Sequence, residues 1–275
     1  MIMKAAFQGE PGAYSEEAGQ AYFDQAEMVP YESFPDVFEA VATGACACGL
    51  IPIENSLAGS IHQNYDLLQQ HNLYIVGEYT LRVRHCLIGF PGTELADIRH
   101  VISHPQALGQ CAAHLRAMNL KSEAVYDTAG SVKLLKANGD KTCAAIASRR
   151  AAQIYGMLIL QEGIEDNPEN YTRFLEIAPQ ARMPKGNVKT SIVFTIKNEP
   201  GALFNALRSF AERRIDLTKI ESRPLVSKTW DYLYYIDLIG AVDEEPVQSA
   251  LEELRSSALM LRVLGCYPRF HDELR

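Results

Sequence analysis

Val101-Ile102-Ser103-His104-Pro105-Gln106-Ala107 is the stretch on which the fold turns. Two β-branched apolar residues read as the end of a buried strand. The proline that follows the polar pair reads as the first position of a helix, where its missing N–H goes unmissed. Leu108, Ala112 and Leu115 then recur on one helical face. The same passage from apolar run to polar cluster occurs elsewhere. Ala5-Ala6-Phe7 leads into Gly9-Glu10-Pro11-Gly12-Ala13-Tyr14-Ser15, and Gly49-Leu50-Ile51 into Pro52-Ile53-Glu54-Asn55-Ser56. Val125-Tyr126, read as a strand, leads into Asp127-Thr128-Ala129-Gly130-Ser131. This βαβα order over residues 1–178 predicts an α/β fold with parallel or mixed sheets and helices on both faces.

Working outward, Ser33-x-x-Asp36 is a helix-start signature before the face Val37, Phe38 and Val41. A helix is expected over 61–70. Residues 72–90 are strand-like but too long for one strand, which predicts a crossing between two lobes, with a return near 163–174. Residues 179–188, with two prolines and a glycine, read as a linker. Beyond it the pattern becomes βαββαβ, the ferredoxin-like order. Its strands are expected at 191–197, 217–223, 231–240 and 260–267, and its helices at 202–213 and 245–256.

With 275 residues, 47% apolar and 22% charged, the chain has the composition of a water-exposed globular protein of about two domains. A net charge of −8 argues against nucleic acid as a partner, because phosphate binding needs a basic face. Residues 1–4 run straight into a strand-like segment with no leader, and no apolar run approaches the ~20 residues of a membrane span, so a cytoplasmic protein is expected. The six cysteines contain no Cys-x-x-Cys pair, and the histidines, His271 among them, show no metal spacing. Reduced thiols and no metal are therefore expected.

The chemistry concentrates at the strand ends, where open α/β sheets bind ligands and helix N-termini offer N–H groups to anions. Asn170-Tyr171-Thr172-Arg173-Phe174 sets a hydroxyl donor, a permanent cation and an aromatic ring in sequence. Arg173 can fork onto a carboxylate. Asn55 and Ser56 can donate to a second one, or cap the following helix.

Taken together and in order, residues 9–15, 52–56, 104–106, 144–148 and 170–174 closely resemble the prephenate dehydratase family, and the tail with Glu221-Ser222-Arg223-Pro224 resembles an ACT domain. The resemblance implies a two-lobed catalytic domain over 1–178, like a type II periplasmic binding protein, then the 179–188 linker and an α+β ferredoxin-like ACT regulatory domain over 189–275. It implies loss of water and CO2 from prephenate to give phenylpyruvate, with no cofactor. Thr172, Arg173, Phe174, Glu54, Asn55 and Ser56 are the implied catalytic residues, with Thr172 assisting the departing hydroxyl and Glu54 the alternative acid. Tyr14, Ser15, His104, Gln106, Thr128 and Ser131 are implied to bind substrate. In the tail, Asn198, Gly201, Ala202 and Leu203 with Glu221 and Ser222 imply a phenylalanine effector site shared between the subunits of a homodimer or homotetramer. Arogenate dehydration and non-catalytic amino-acid sensing are the rival readings.

Overall fold

The computed structural model describes residues 2–225 and 232–270. The first residue of the strand expected at 231–240, and His271, lie outside the described residues. Among the described residues, the secondary structure is mixed α/β, in two compact units: Met1–Ile61 with Tyr79–Phe174, and His62–Glu78 with Leu175–Arg275.

The chain opens with β1 (Lys4–Gln8), α1 (Tyr14–Tyr22), β2 (Glu27–Tyr31), α2 (Phe34–Ala42), β3 (Cys48–Asn55) and β4 (Gly59–Ser60). There follow α3 (His62–Gln70), β5 (Tyr74–Arg82), β6 (Cys86–Gly89), β7 (His100–Ser103), α4 (Pro105–Gln110) and α5 (Ala112–Ala117). Next come β8 (Lys121–Ala124), α6 (Thr128–Asn138), β9 (Cys143–Ala147), α7 (Arg149–Tyr155), β10 (Leu158–Glu162) and β11 (Tyr171–Ala178). One sheet runs β2-β1-β3-β11-β5, with β4 beside β3, and a second runs β10-β6-β9-β7-β8. β1 is parallel to β2 and β3, and β7 to β8 and β9. β6 lies antiparallel to β9 and β10, so the second sheet is mixed. The chain passes from the first sheet to the second at residues 83–85 and returns between β10 and β11, within the two stretches expected.

Local chemistry explains most element starts. Ser33 and Asp36 form the full capping box of α2. Proline opens α4. Two expectations are corrected. The strand before residue 127 is β8, whose four residues are all exposed, and Val125-Tyr126 lies beyond it. The helix begun by Pro105 breaks at Cys111 (φ −114°, ψ 12°) into α4 and α5. The break is stabilised because the Asp166 carboxylate accepts from Ala113 N and His114 N, at 2.8 and 3.0 Å, satisfying the new helix start.

The loop between β1 and α1 is fixed by contact with α7. Ser148, the cap of α7, donates from Oγ to Gly12 O at 2.6 Å. Gly12 has φ +93°, and a Cβ there would meet Ala151 Cα at 2.6 Å. Backbone against backbone leaves no room to relax.

In the other unit, β12 (Val188–Thr195), α8 (Ala202–Ala211), β13 (Leu217–Pro224), β14 (Tyr232–Ile239), α9 (Glu245–Ser257) and β15 (Met260–Pro268) follow the βαββαβ order. The sheet runs β13-β14-β12-β15, antiparallel throughout. Its core is Phe194, Phe210, Ile236, Leu251 and Leu254, all buried. β12 begins three residues before the strand expected at 191–197. The edge strand β13 alternates half-buried and exposed residues. In α3, Tyr65 packs edge-on to Tyr235 of β14, and Asp66 pairs with Arg223 at 2.7 Å. Arg262 binds the four backbone carbonyls of Leu68, Gln69, His71 and Leu73.

Gly12→Ala is expected to destabilise the chain by about 1–3 kcal/mol through the left-handed backbone and the Ala151 clash together, measured as a lower midpoint in denaturant melts.

Candidate active site

A cavity of about 180 Å³ opens where the two sheets of the first unit meet at their strand ends. Tyr14 and Ser15 come from the first turn of α1, Gln106 and Gln110 from α4, and Thr128 from the start of α6. Pro52 and Asn55 come from the end of β3, and Thr172 and Phe174 from β11. Val83, His85 and His104 complete the wall. No Lys or Arg lies among these residues. Attraction for an anion comes instead from the positive dipole ends of the helices that start at the cavity wall, although His104 and Asp127 cap N–H groups at two of them.

The strand alternation of β11 decides what Thr172 and Arg173 do. Successive side chains leave opposite faces. Thr172 and Phe174 line the cavity, whereas the Arg173 guanidinium meets the Glu54 carboxylate at 3.1 Å. Asn55 donates from Nδ2 to Thr172 Oγ1 at 3.0 Å. An amide nitrogen cannot accept, so the hydrogen of the Thr172 hydroxyl is not spent on Asn55. The same Nδ2 lies 2.8 Å from Asn170 Oδ1 and 3.1 Å from Tyr171 O, so its two hydrogens are shared among three acceptors, and Asn55 Oδ1 accepts from Leu57 N and Ala58 N. Asn55 therefore holds Thr172 and its own loop in place.

The other residues expected from the sequence divide. Ser56 donates to Glu169 O at 2.6 Å and accepts from Tyr171 N at 2.9 Å, which fastens β3 to β11 away from the cavity lining. Ser131 is fully buried and donates to Thr128 O. His104 caps α4, its Nδ1 accepting from Gln106 N at 3.2 Å. Asp127 caps α6 through Gly130 N, and burial pushes its carboxyl up in pKa. In the other unit, Gly201 (φ +84°) starts α8 while Glu221 on β13 pairs with His62 at 3.2 Å. β14 separates β13 from β12 in the sheet, so a single chain keeps the 198–203 loop and residues 221–222 on different strands.

Two cavity residues were missed from the sequence. His85 is 2% exposed, with Nδ1 2.7 Å from the Tyr14 hydroxyl and Nε2 2.8 Å from Gln110 Oε1. Burial lowers its pKa, opposed by the Gln110 bond and by Glu165, which accepts from His85 N. Burial also raises the Tyr14 phenol, which stays protonated. Gln110 lies one helical turn after Gln106, a spacing that could have revealed it. His85 sits in a strand-like run that hides any other role.

A larger cavity of about 540 Å³ is bounded by Glu10, Glu32 and Asp127 with Tyr31 and Tyr126. Its carboxylates disfavour an anion, so the smaller cavity is the candidate site. Among the described residues, no cluster of three or more His, Cys, Asp or Glu could hold a metal, and no helix is long and apolar enough to cross a membrane.

The family model described as prephenate dehydratase matches residues 5–182. The chain belongs to the prephenate dehydratase family. It is similar to arogenate dehydratase/prephenate dehydratase 2, chloroplastic, of Arabidopsis thaliana, at 48% identity, covering 97% of this chain and 73% of that protein. It is similar to the structure of prephenate dehydratase in complex with L-Phe from Arthrobacter aurescens, at 30% identity, TM-score 0.89, and 97% and 90% coverage. It is also similar to a structure described as "GqqA- a novel type of quorum quenching acylases", at 34% identity, TM-score 0.90, and 97% and 98% coverage.

His85 titration should appear in stability. Its folded pKa is depressed, so below about pH 6.5 the unfolded chain takes up a proton that the folded chain refuses. Stability is thus lost as pH falls from the ordinary histidine value toward the folded one. Melting temperature against pH should show this decline in the native chain and lack that component in His85→Gln.

Proposed function

We propose that the chain is a prephenate dehydratase, a carbon–oxygen lyase that converts prephenate to phenylpyruvate, water and CO2. The observation that carries the reading is the Thr172 hydroxyl, held by Asn55 so that its remaining hydrogen serves an acceptor in a cavity faced by helix N-termini. In the reaction, the ring C–O bond breaks, and the departing hydroxyl takes up one proton, supplied by the solvent, and leaves as water. The ring carboxylate leaves as CO2, and its bonding pair becomes part of the aromatic ring. No net redox change occurs. Thr172 hydrogen-bonds the departing oxygen as charge develops. Ser15, Gln106, Thr128 and the backbone at the helix starts hold the two carboxylates, while Tyr14 gives its hydroxyl hydrogen to His85 and His104 fixes the start of α4. Phe174 excludes water. Glu54 and Arg173 tie β3 to β11 outside the cavity lining.

Arogenate dehydration is the second reading, favoured by the double name of the Arabidopsis relative. It differs only in an amino group on the substrate side chain. Acyl hydrolysis, the activity in the description of the GqqA structure, has less support here. It needs a base beside a hydroxyl that can become a nucleophile, yet the hydroxyl against His85 is the buried Tyr14 phenol, whose pKa burial raises, and His104 Nδ1 accepts a backbone hydrogen bond.

The proposal extends to regulation. Residues 1–178 form the catalytic part, 179–188 the linker and 189–275 an ACT domain. Phenylalanine binds between the loop with Asn198, Gly201, Ala202 and Leu203 of one subunit and Glu221 and Ser222 of another, in a homodimer or homotetramer. The exposed edge of β13 supports such pairing. A cytoplasmic setting accords with six buried cysteines and no disulfide among the described residues.

The test is phenylpyruvate formation from prephenate and phenylalanine formation from arogenate, each with and without added phenylalanine. Prephenate turnover suppressed by phenylalanine is the expected result. Turnover of arogenate alone would establish the second reading, and turnover of neither would leave an amino-acid sensor.

Thr172→Val, which keeps shape and removes the donor, is expected to lower kcat by about 10²–10⁴-fold with KM nearly unchanged. In Arg173→Lys, an unchanged KM would agree with Arg173 bracing Glu54, whereas a large rise would return Arg173 to a substrate carboxylate.

A further inference from the structure

The hydrogen bonds behind the cavity have a direction that can be worked out from one end. Leu57 N and Ala58 N can only donate, and both point to the Asn55 side-chain oxygen, at 3.1 and 2.9 Å. That settles which end of the Asn55 amide is oxygen, and its Nδ2 is thereby turned toward Asn170 and Thr172. Asn170, fully buried, must accept with Oδ1, so its Nδ2 faces Gln110 and donates to Oε1 at 3.1 Å. Gln110 Oε1 is an acceptor only, so the hydrogen between it and His85 belongs to His85 Nε2. A neutral imidazole protonated at Nε2 has a lone pair at Nδ1. The Tyr14 hydroxyl has two acceptors in reach, this lone pair at 2.7 Å and Arg84 O at 3.2 Å, and the nearer one takes its hydrogen.

We propose that His85, oriented by Tyr14, is a positioning residue that sets the far end of this chain and so presents the Thr172 hydroxyl and the Gln110 amino group as donors to the cavity. His85 does not touch the reacting atoms. Its part is to hold Gln110 Oε1 away from the cavity, which leaves Gln110 Nε2 as the end turned inward. If Gln110 turned over, its amino group would face the Asn170 amino group, donor against donor. Asn170 would then have to turn, and the Asn55 hold on Thr172 would weaken. Each link is buried or half-buried, so water cannot cheaply repair a reversed one. The effect on catalysis rests on the reading of Thr172 as donor to the departing hydroxyl, whereas the direction of the chain does not.

Two measurements on the full chain separate these. The first is the ring-nitrogen NMR spectrum of His85 in the ligand-free protein at neutral pH, assigned by comparison with His85→Gln. A neutral ring protonated at Nε2 is expected. A ring protonated at Nδ1, or doubly protonated, overturns the proposal. The second is steady-state kinetics with whichever of prephenate or arogenate the native chain turns over. His85→Phe is expected to lower kcat by roughly 100-fold with KM within about twofold, as misplacement of a donor does. His85→Gln keeps an amide hydrogen that can reach Gln110 and should recover most of that loss. Folded His85→Phe with native kcat, or His85→Gln no better than His85→Phe, overturns the positioning role. If His85→Phe does not fold, Tyr14→Phe takes its place. Removal of that hydroxyl should release the His85 tautomer and lower kcat, and a tautomer and kcat both unchanged would overturn the proposal. If the native chain turned over neither substrate, the reaction reading would fail while the NMR result still decided the chain's direction.

Discussion

Two backbone N–H groups, those of Leu57 and Ala58, constrain every polar group behind the cavity. They cannot reverse, because a main-chain nitrogen has no lone pair to offer. Their grip on Asn55 Oδ1 passes through one amide to the next until it reaches an imidazole and a phenol. An isolated buried amide can sit either way round at similar energy. A chain of them anchored at a main-chain end cannot, and hydrogen bonds in such a chain polarise one another. The order of the cavity therefore comes from the geometry of the turn after β3, which lies in neither α1, α4 nor β11.

Charge places a second constraint on the site. The chain carries a net charge of −8, and the cavity of about 540 Å³ is rimmed by carboxylates. The smaller cavity draws anions with helix starts and neutral donors, and its lining holds neither cation nor carboxylate. Dipoles fixed in the backbone need no reorganisation when charge shifts across a substrate, which is the condition for stabilising a departing oxygen.

Much of this was legible in the sequence, for local reasons. Pro105, the Ser33–Asp36 box and Asp127 each act within a few residues, and each marks a helix start in the structure, whereas residues 52–55 continue the strand β3. The βαββαβ order was readable because its helices and strands keep one apolar face. What escaped depends on distant partners or missing patterns. β8 is an edge strand with all four residues exposed, so no alternation announces it. The break at Cys111 depends on Asp166, which is remote in sequence. His85 shows nothing by itself, because its partners Tyr14 and Gln110 lie 71 and 25 residues away.

The pairing of β3 with β11 carries the argument furthest. Adjacent in the sheet, the two strands bring Asn55 to Thr172 and Glu54 to Arg173. Asn55 and Thr172 meet in the cavity lining, to which neither Glu54 nor Arg173 belongs. The sequence places a cation next to the hydroxyl, and the pleat then parts them. That separation has chemical sense. A guanidinium in the cavity would hold the carboxylates of substrate and transition state alike, which lowers KM without speeding the chemical step. A hydroxyl aimed at the leaving oxygen binds most strongly when that oxygen has gained its charge, and its contribution falls on kcat.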